Sequence, residues 1–123
     1  MVLKRAFRLR KSSEFLQVRQ QGRSIASRLL ILAYRANTSD ITRIGFVVSK
    51  KVSKHAVVRN RLKRLLSEVM RPLLPCLPGG LDIVLTVRNS ARDADIRMLK
   101  QEVVTLLQRT RLLETDQTPE TST

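Results

Sequence analysis

From Val57 to Arg71 the apolar side chains Val58, Leu62, Leu65, Leu66, Val69 and Met70 recur at the i, i+4, i+7, i+8 spacing of an amphipathic helix. Such a helix has to bury one side, so the chain needs a second apolar layer to set it against. Pro72 ends the run, because proline disfavours helical geometry in the residue before it. The opposite side is strongly basic. Ser49 to Glu68 places Lys or Arg at seven of twenty positions, and no acid occurs from Ile41 to Ser67.

The remaining pattern supplies the second layer. A basic arm over residues 1–11 carries Lys4, Arg5, Arg8, Arg10 and Lys11 around Phe7. Ser12 or Ser13 is placed to cap a short helix reaching about Gln21, and Gly22 to stop it in a left-handed conformation. Leu29 to Arg35 and Arg43 to Ser49 read as strands joined by the turn formers Asn37 to Asp40, which predicts a β-hairpin. In the second of these, Ile44, Phe46 and Val48 point one way and Gly45, Val47 and Ser49 the other.

A PCLPGG loop precedes a strand from Leu81 to Val87, whose Leu81, Ile83, Leu85 and Val87 share a face. A last helix spans about Asp93 to Leu113, with Ile96, Leu99, Val103, Leu106 and Leu107 on one stripe. Asp93 and Asp95 suit its positive end, and Arg109 and Arg111 its negative end. With a short additional strand near Ser24 to Arg28, the order is αβββαβα and the fold class α+β, a two-layer α/β sandwich.

A chain of 123 residues fits one domain. Residues 1–113 are expected to form it, followed by an acidic tail over 114–123, ETDQTPETST, too poor in apolar surface to fold. The formal net charge is +14, and residues 1–113 carry +17 because three of the ten acids sit in that tail without a base. A surface so basic repels itself, which points to a polyanionic partner, nucleic acid first and an anionic membrane surface second.

Cys76 is the only cysteine, which excludes an intrachain disulfide and reads as an inert thiol. The longest apolar run, Leu29 to Tyr34, is too short to span a bilayer, so no transmembrane segment is expected, and with nucleic acid ranked first no membrane is among the expected partners. The first 28 residues hold one acid, Glu14, and could also be read as a mitochondrial transit peptide. Phe15, Leu16 and Val18 read instead as folded-domain residues, and the expected compartment is the cytoplasm.

On the basic helix Arg59 and Lys63 are i, i+4 neighbours, as are Asn60 and Arg64, and Arg61 lies three residues from Arg64. Like charges so spaced oppose folding by a few tenths of a kcal/mol per pair unless an anion is brought to them. Arginine's planar fork clasps a phosphate through two hydrogen bonds, whereas Lys63 supplies a mobile point charge. Asn60 offers both donor and acceptor to a sugar hydroxyl or a base edge. Lys50, Lys51 and Lys54 extend the positive strip.

The order KK...AVVRNRLKRLLSE resembles the RNR motif of the bacterial ribonuclease P protein subunits. FLQV at Phe15 to Val18 followed by Gly22, RIGFVVSKK at Arg43 to Lys51 and LDIVLTVR at Leu81 to Arg88 resemble segments of the same family in the same order, so the likeness covers about residues 5–113. It implies a sandwich with a left-handed βαβ crossover, also seen in a ribosomal small-subunit protein and in one domain of elongation factor G. It further implies that Lys50, Lys51, Lys54, Arg59, Asn60, Arg61, Lys63 and Arg64 face a catalytic RNA. A cleft with Phe15, Val47, Ser49 and Arg88 would hold the single-stranded 5′ leader of precursor tRNA.

Three positions depart from the family pattern. Arg19 stands where many relatives carry a second aromatic four residues after Phe15, an aromatic near Ala33 is missing, and Ser67 replaces a frequent arginine. These changes make the cleft more electrostatic and remove one RNA contact.

Phosphodiester hydrolysis requires metal-binding carboxylates or a paired acid and base. The seven acids before the tail are scattered from Glu14 to Glu102, and Asp93 and Asp95 read as helix-start residues, so the polypeptide reads as non-catalytic. The resemblance implies that Mg²⁺ ions held mainly by the RNA subunit perform the cleavage. The partners it implies are ribonuclease P RNA and precursor tRNA, with no DNA. The alternatives are a ribosomal or RNA-chaperone type of binding protein and, third, a protein-only nuclease.

Overall fold

A computed structural model of the chain describes residues 5–113. A 3-10 turn (Arg5–Phe7) leads into α1 (Ser12–Gln21), β1 (Arg23–Ala26), β2 (Leu30–Ala36), β3 (Arg43–Val47), α2 (Ala56–Met70), β4 (Leu81–Val87) and α3 (Ile96–Arg109), the expected order. The strands form one sheet in the order β1-β2-β4-β3. β4 runs antiparallel to β2 and parallel to β3, so α2 crosses between two neighbouring parallel strands, the βαβ unit that the family resemblance implies. The acidic tail and Lys4 of the basic arm lie outside the described residues.

The expected hairpin is not formed: β4 lies between β2 and β3. Asp82, Ile83, Val84 and Leu85 are all buried, and a strand covered on both faces belongs in the middle of a sheet. The Asn37–Asp40 segment does turn, yet it is bonded to the start of β4. Asn37 N donates to Gly80 O over 2.8 Å and its Nδ2 to Asp82 Oδ1 over 2.8 Å. Thr42 Oγ1 donates to Pro78 O and accepts from Leu81 N.

The two faces of the sheet are unequal. On one, Leu32, Ile44, Ile83 and Leu85 pack against Leu62, Leu66 and Met70 of α2 and Leu99, Val103 and Leu106 of α3, forming the main core. On the other, α1 covers only a small cluster of Leu9, Val18, Ala33 and Val84, with Phe15 and Val47 partly buried at its margin. The alternation along β3 is as expected, with Ile44, Phe46 and Val48 on the core side and Val47 beneath α1.

Several local expectations are corrected. Gly22 stops α1 with extended backbone, φ −88° and ψ 177°, not a left-handed turn. Glycine is needed there for space: a Cβ would lie 2.5 Å from Val18 O and would also collide with Tyr34 O. The cap position of α1 is Lys11, with Ser12 already helical, and Glu14 Oε1 accepts from the N–H groups of Lys11 (3.1 Å) and Arg10 (3.3 Å). α3 begins at Ile96, because Asp95 Oδ1 accepts from Met98 N at 2.9 Å and caps it, which leaves Asp93 outside. Ile96 is 41% exposed and so leaves the buried stripe. Arg111 lies past the helix end at φ 63°, where the Leu112 and Leu113 amides return to Leu107 O.

Candidate nucleic-acid interface

The first groove forms where α1 crosses the thin side of the sheet. Gly45 lacks a side chain, so the Phe15 ring rests on its backbone; a Cβ at Gly45 would lie 2.5 Å from Phe15 Cζ. Phe15 is half-buried, which leaves part of the ring open. Phe15, Val47, Leu16, Arg10 and Arg19 line a groove of about 270 Å³. Strand pairing sets Ile31, Thr86 and Val47 side by side, each half-buried, as the sheet surface beyond α1.

Of the four predicted cleft residues, the structure brings Phe15 and Val47 together. Ser49 and Arg88 follow the same ends of the parallel strands β3 and β4 but do not line this groove. Ser49 Oγ accepts from Lys51 N, and Arg88 Nη1 donates to Ser27 O over 2.8 Å. Arg19 places a cation at the groove wall.

A salt-bridge pair fixes α1 over the sheet. Arg43 Nη1 reaches Glu14 Oε2 at 2.9 Å, while its Nε and Nη2 clasp both oxygens of Asp82 at 3.0 and 2.9 Å. The Lys11 N–H, followed by the Arg10 N–H and Arg43, holds the Glu14 carboxyl below the ordinary carboxylate range, with burial opposing. The Asp82 carboxylate raises the Arg43 pKa, burial again opposing. Arg43→Ala should cost about 2 kcal/mol in urea unfolding, the range for hydrogen bonds to charged groups after allowance for partial exposure. A loss below about 0.5 kcal/mol would show the bridge to be only a surface contact.

A second groove, of about 480 Å³, runs between the N-terminal arm and α2. Asn60, Lys63 and Arg64 form one bank because i, i+3 and i+4 positions share a helix face, and Arg8 and Arg10 form the other. Leu9 N donates to Ile44 O at 2.9 Å, which ties the arm to the free edge of β3. Phe15 and Arg10 belong to both grooves. Ser67 also lines this groove; it is buried, and its hydroxyl donates to Lys63 O at 3.0 Å.

The two arginines of the RNR motif point elsewhere. Arg59 Nη1 donates to Ser53 O at 2.9 Å and Arg61 Nη2 to Ala94 O at 3.0 Å, so each spends one of its donors on fastening a loop to α2. Lys50, Lys51 and Lys54 stand exposed on the connection from β3 to α2. Arg8 and Arg10 are contributors that sequence reasoning left unassigned, since charge alone marked them and their pairing beside β3 is tertiary.

Residues 3–111 match the family described as Ribonuclease P. The "Ribonuclease P protein component" of Caldanaerobacter subterraneus subsp. tengcongensis is 40% identical over 107 residues, 87% of this chain and 91% of that protein. That of Chloroflexus aurantiacus is 41% identical over 112 residues, covering 90% and 82%. The solved RNase P protein of Staphylococcus aureus superposes with a TM-score of 0.82 at 26% identity, covering 89% of this chain and all of that one. The Thermotoga maritima RNase P protein gives 0.73 at 31% identity, covering 83% and 96%. A basic α2, a groove beneath α1 and this βαβ sheet thus coincide with a likeness spanning nearly the whole folded region, and the chain belongs to the ribonuclease P protein family.

Proposed function

We propose that the chain is the protein subunit of a ribonuclease P ribonucleoprotein, which removes the 5′ leader from precursor tRNA. The basic surface of α2 and its flanks binds the ribonuclease P RNA, and the groove beneath α1 receives the single-stranded leader. The observation that carries this reading is the pair of grooves meeting at Phe15 and Arg10, one walled by an aromatic ring and the half-buried Val47 of β3, the other by cations. An aromatic face stacks on any base, contributing ~1–3 kcal/mol per base without sequence demand, and flanking cations neutralise phosphates. Phe15 serves both as platform and as the packing contact that seats α1.

Among the described residues no three His, Cys, Asp or Glu side chains gather so as to hold a metal ion. The family likeness supports assigning the cleavage chemistry and its Mg²⁺ to the RNA, and this chain's part is charge neutralisation and placement of the leader. No helix among the described residues is long and apolar enough to cross a membrane.

The test is reconstitution. The purified chain added to a bacterial ribonuclease P RNA and precursor tRNA at low Mg²⁺ should stimulate 5′ cleavage. Absence of stimulation would sink the subunit assignment, and cleavage by the chain without RNA would overturn the division of labour.

A further inference from the structure

The connection between β3 and α2 folds around a concavity of about 800 Å³. Its floor is the buried pair Val52 and Ser53, and its rim carries Lys50, Lys51 and Lys54. The fourth cation on the rim is Arg92, delivered from the turn between β4 and α3. No acid lines the hollow, and it shares no lining residue with the groove of Asn60, Lys63 and Arg64.

The side chains of these four cations have no hydrogen-bond or ion-pair partner among the described residues. Arg43, Arg59, Arg61 and Arg88 each donate to a carboxylate or a backbone carbonyl, whereas the Arg92 guanidinium keeps all its donors for a ligand. Four uncompensated cations around one hollow repel one another, and the low-dielectric walls concentrate their field at its centre. The arrangement opposes folding until an anion enters.

We propose that this hollow is a separate phosphate-binding site, in which Arg92 clasps one phosphodiester of the ribonuclease P RNA backbone while Lys50, Lys51 and Lys54 neutralise its neighbours. The assignment rests on the RNA-subunit reading above. Arg92 is the specific part, because its planar fork fits two phosphate oxygens at once, whereas the lysines act as point charges.

The experiment measures binding of the full chain to ribonuclease P RNA across a salt series for the unaltered protein, Arg92→Ala, Arg92→Lys and Lys63→Ala. Loss of one phosphate contact flattens the log–log salt slope by about 0.9, so the Arg92→Ala affinity should fall about 3-fold less than the unaltered protein's between 50 and 200 mM salt. Arg92→Lys should keep the slope but bind more weakly at every salt concentration; in the absence of RNA, thermal unfolding of Arg92→Lys should match the unaltered chain, and Arg92→Ala should unfold at no lower a temperature.

If Lys63→Ala flattens the slope and Arg92→Ala does not, the hollow is overturned while RNA binding by α2 stands. If neither does, the hollow is overturned and Lys63 with it, whereas the RNA-subunit reading falls only if reconstituted cleavage is not stimulated. Arg92→Lys binding as tightly as the unaltered chain would remove the bidentate clasp. A second arm follows precursor tRNA binding to preassembled holoenzyme, and an Arg92→Ala effect confined to that arm would overturn assignment to the ribonuclease P RNA.

Discussion

Binding of the chain to ribonuclease P RNA should weaken ~10³–10⁵-fold between 50 and 200 mM salt, the fall expected when six to ten phosphates are neutralised. The steepness comes from released counterions, so it counts phosphate contacts rather than contact area. Lys63→Ala and Arg64→Ala should each flatten the slope by about one unit, since both side chains are exposed on the groove bank. Arg59→Ala and Arg61→Ala should also flatten it by about one, and each should in addition cost about 0.5–1.5 kcal/mol of stability. That extra cost arises because Arg59 fastens Ser53 and Arg61 fastens Ala94. Slope and unfolding measured on the same four proteins separate the two kinds of role. A slope indifferent to all four substitutions would reduce the basic face of α2 to a solvated surface.

The unequal faces of the sheet set the two proposed binding surfaces apart. α2 and α3 bury the large core, whereas α1 is held by Val18, part of Phe15, the Glu14–Arg43–Asp82 bridge and a Gln17–Arg35 hydrogen bond of 3.2 Å. Fewer buried apolar contacts mean a lower local stability. The element beside the proposed leader groove is thus the one that adjusts at least cost, while the basic face of α2 is fixed by Leu62, Leu66 and Met70 packed beneath it.

How much of this was legible before the structure depended on the range of the interaction involved. The helical face of α2 could be read because Leu62, Leu66 and Val69 repeat within one element, and that periodicity survives any tertiary arrangement. The partner of β3 could not be read from its neighbours. Asn37–Asp40 has ordinary turn chemistry, and only the near-continuous apolar run of β4, with Val84 buried between Ile83 and Leu85, marked a strand that had to lie centrally. Gly22 drew a left-handed reading because helix ends favour it, but the constraint was the approach of Tyr34 O from another strand. Arg92 lies far in sequence from Lys50, Lys51 and Lys54, and only folding brings it to their rim. Of the predicted leader residues, Phe15 and Val47 meet, whereas Arg88 is committed to Ser27 O.

Phe15→Ala should weaken precursor tRNA binding by the holoenzyme ~5–150-fold, the equivalent of ~1–3 kcal/mol for one stacked base, while leaving mature tRNA nearly unchanged. Gly45→Ala tests the same site from beneath. A Cβ there meets Phe15 Cζ at 2.5 Å, and Leu9 Cβ lies at 3.2 Å on another side, so the ring has to leave its seat. Overpacking of this kind costs ~1–3 kcal/mol, and the displaced ring should lose much of the leader preference although Phe15 is still present. In a Phe15→Ala background the obstructing ring is gone, and alanine is favoured over glycine in a strand by roughly 0.5–1 kcal/mol. The cost of Gly45→Ala should then shrink to what Leu9 alone imposes, giving a coupling energy of ~1 kcal/mol or more between the two positions. Equal costs in both backgrounds would show that the ring does not set the requirement for glycine. Equal losses for precursor and mature tRNA with Phe15→Ala would place the leader elsewhere.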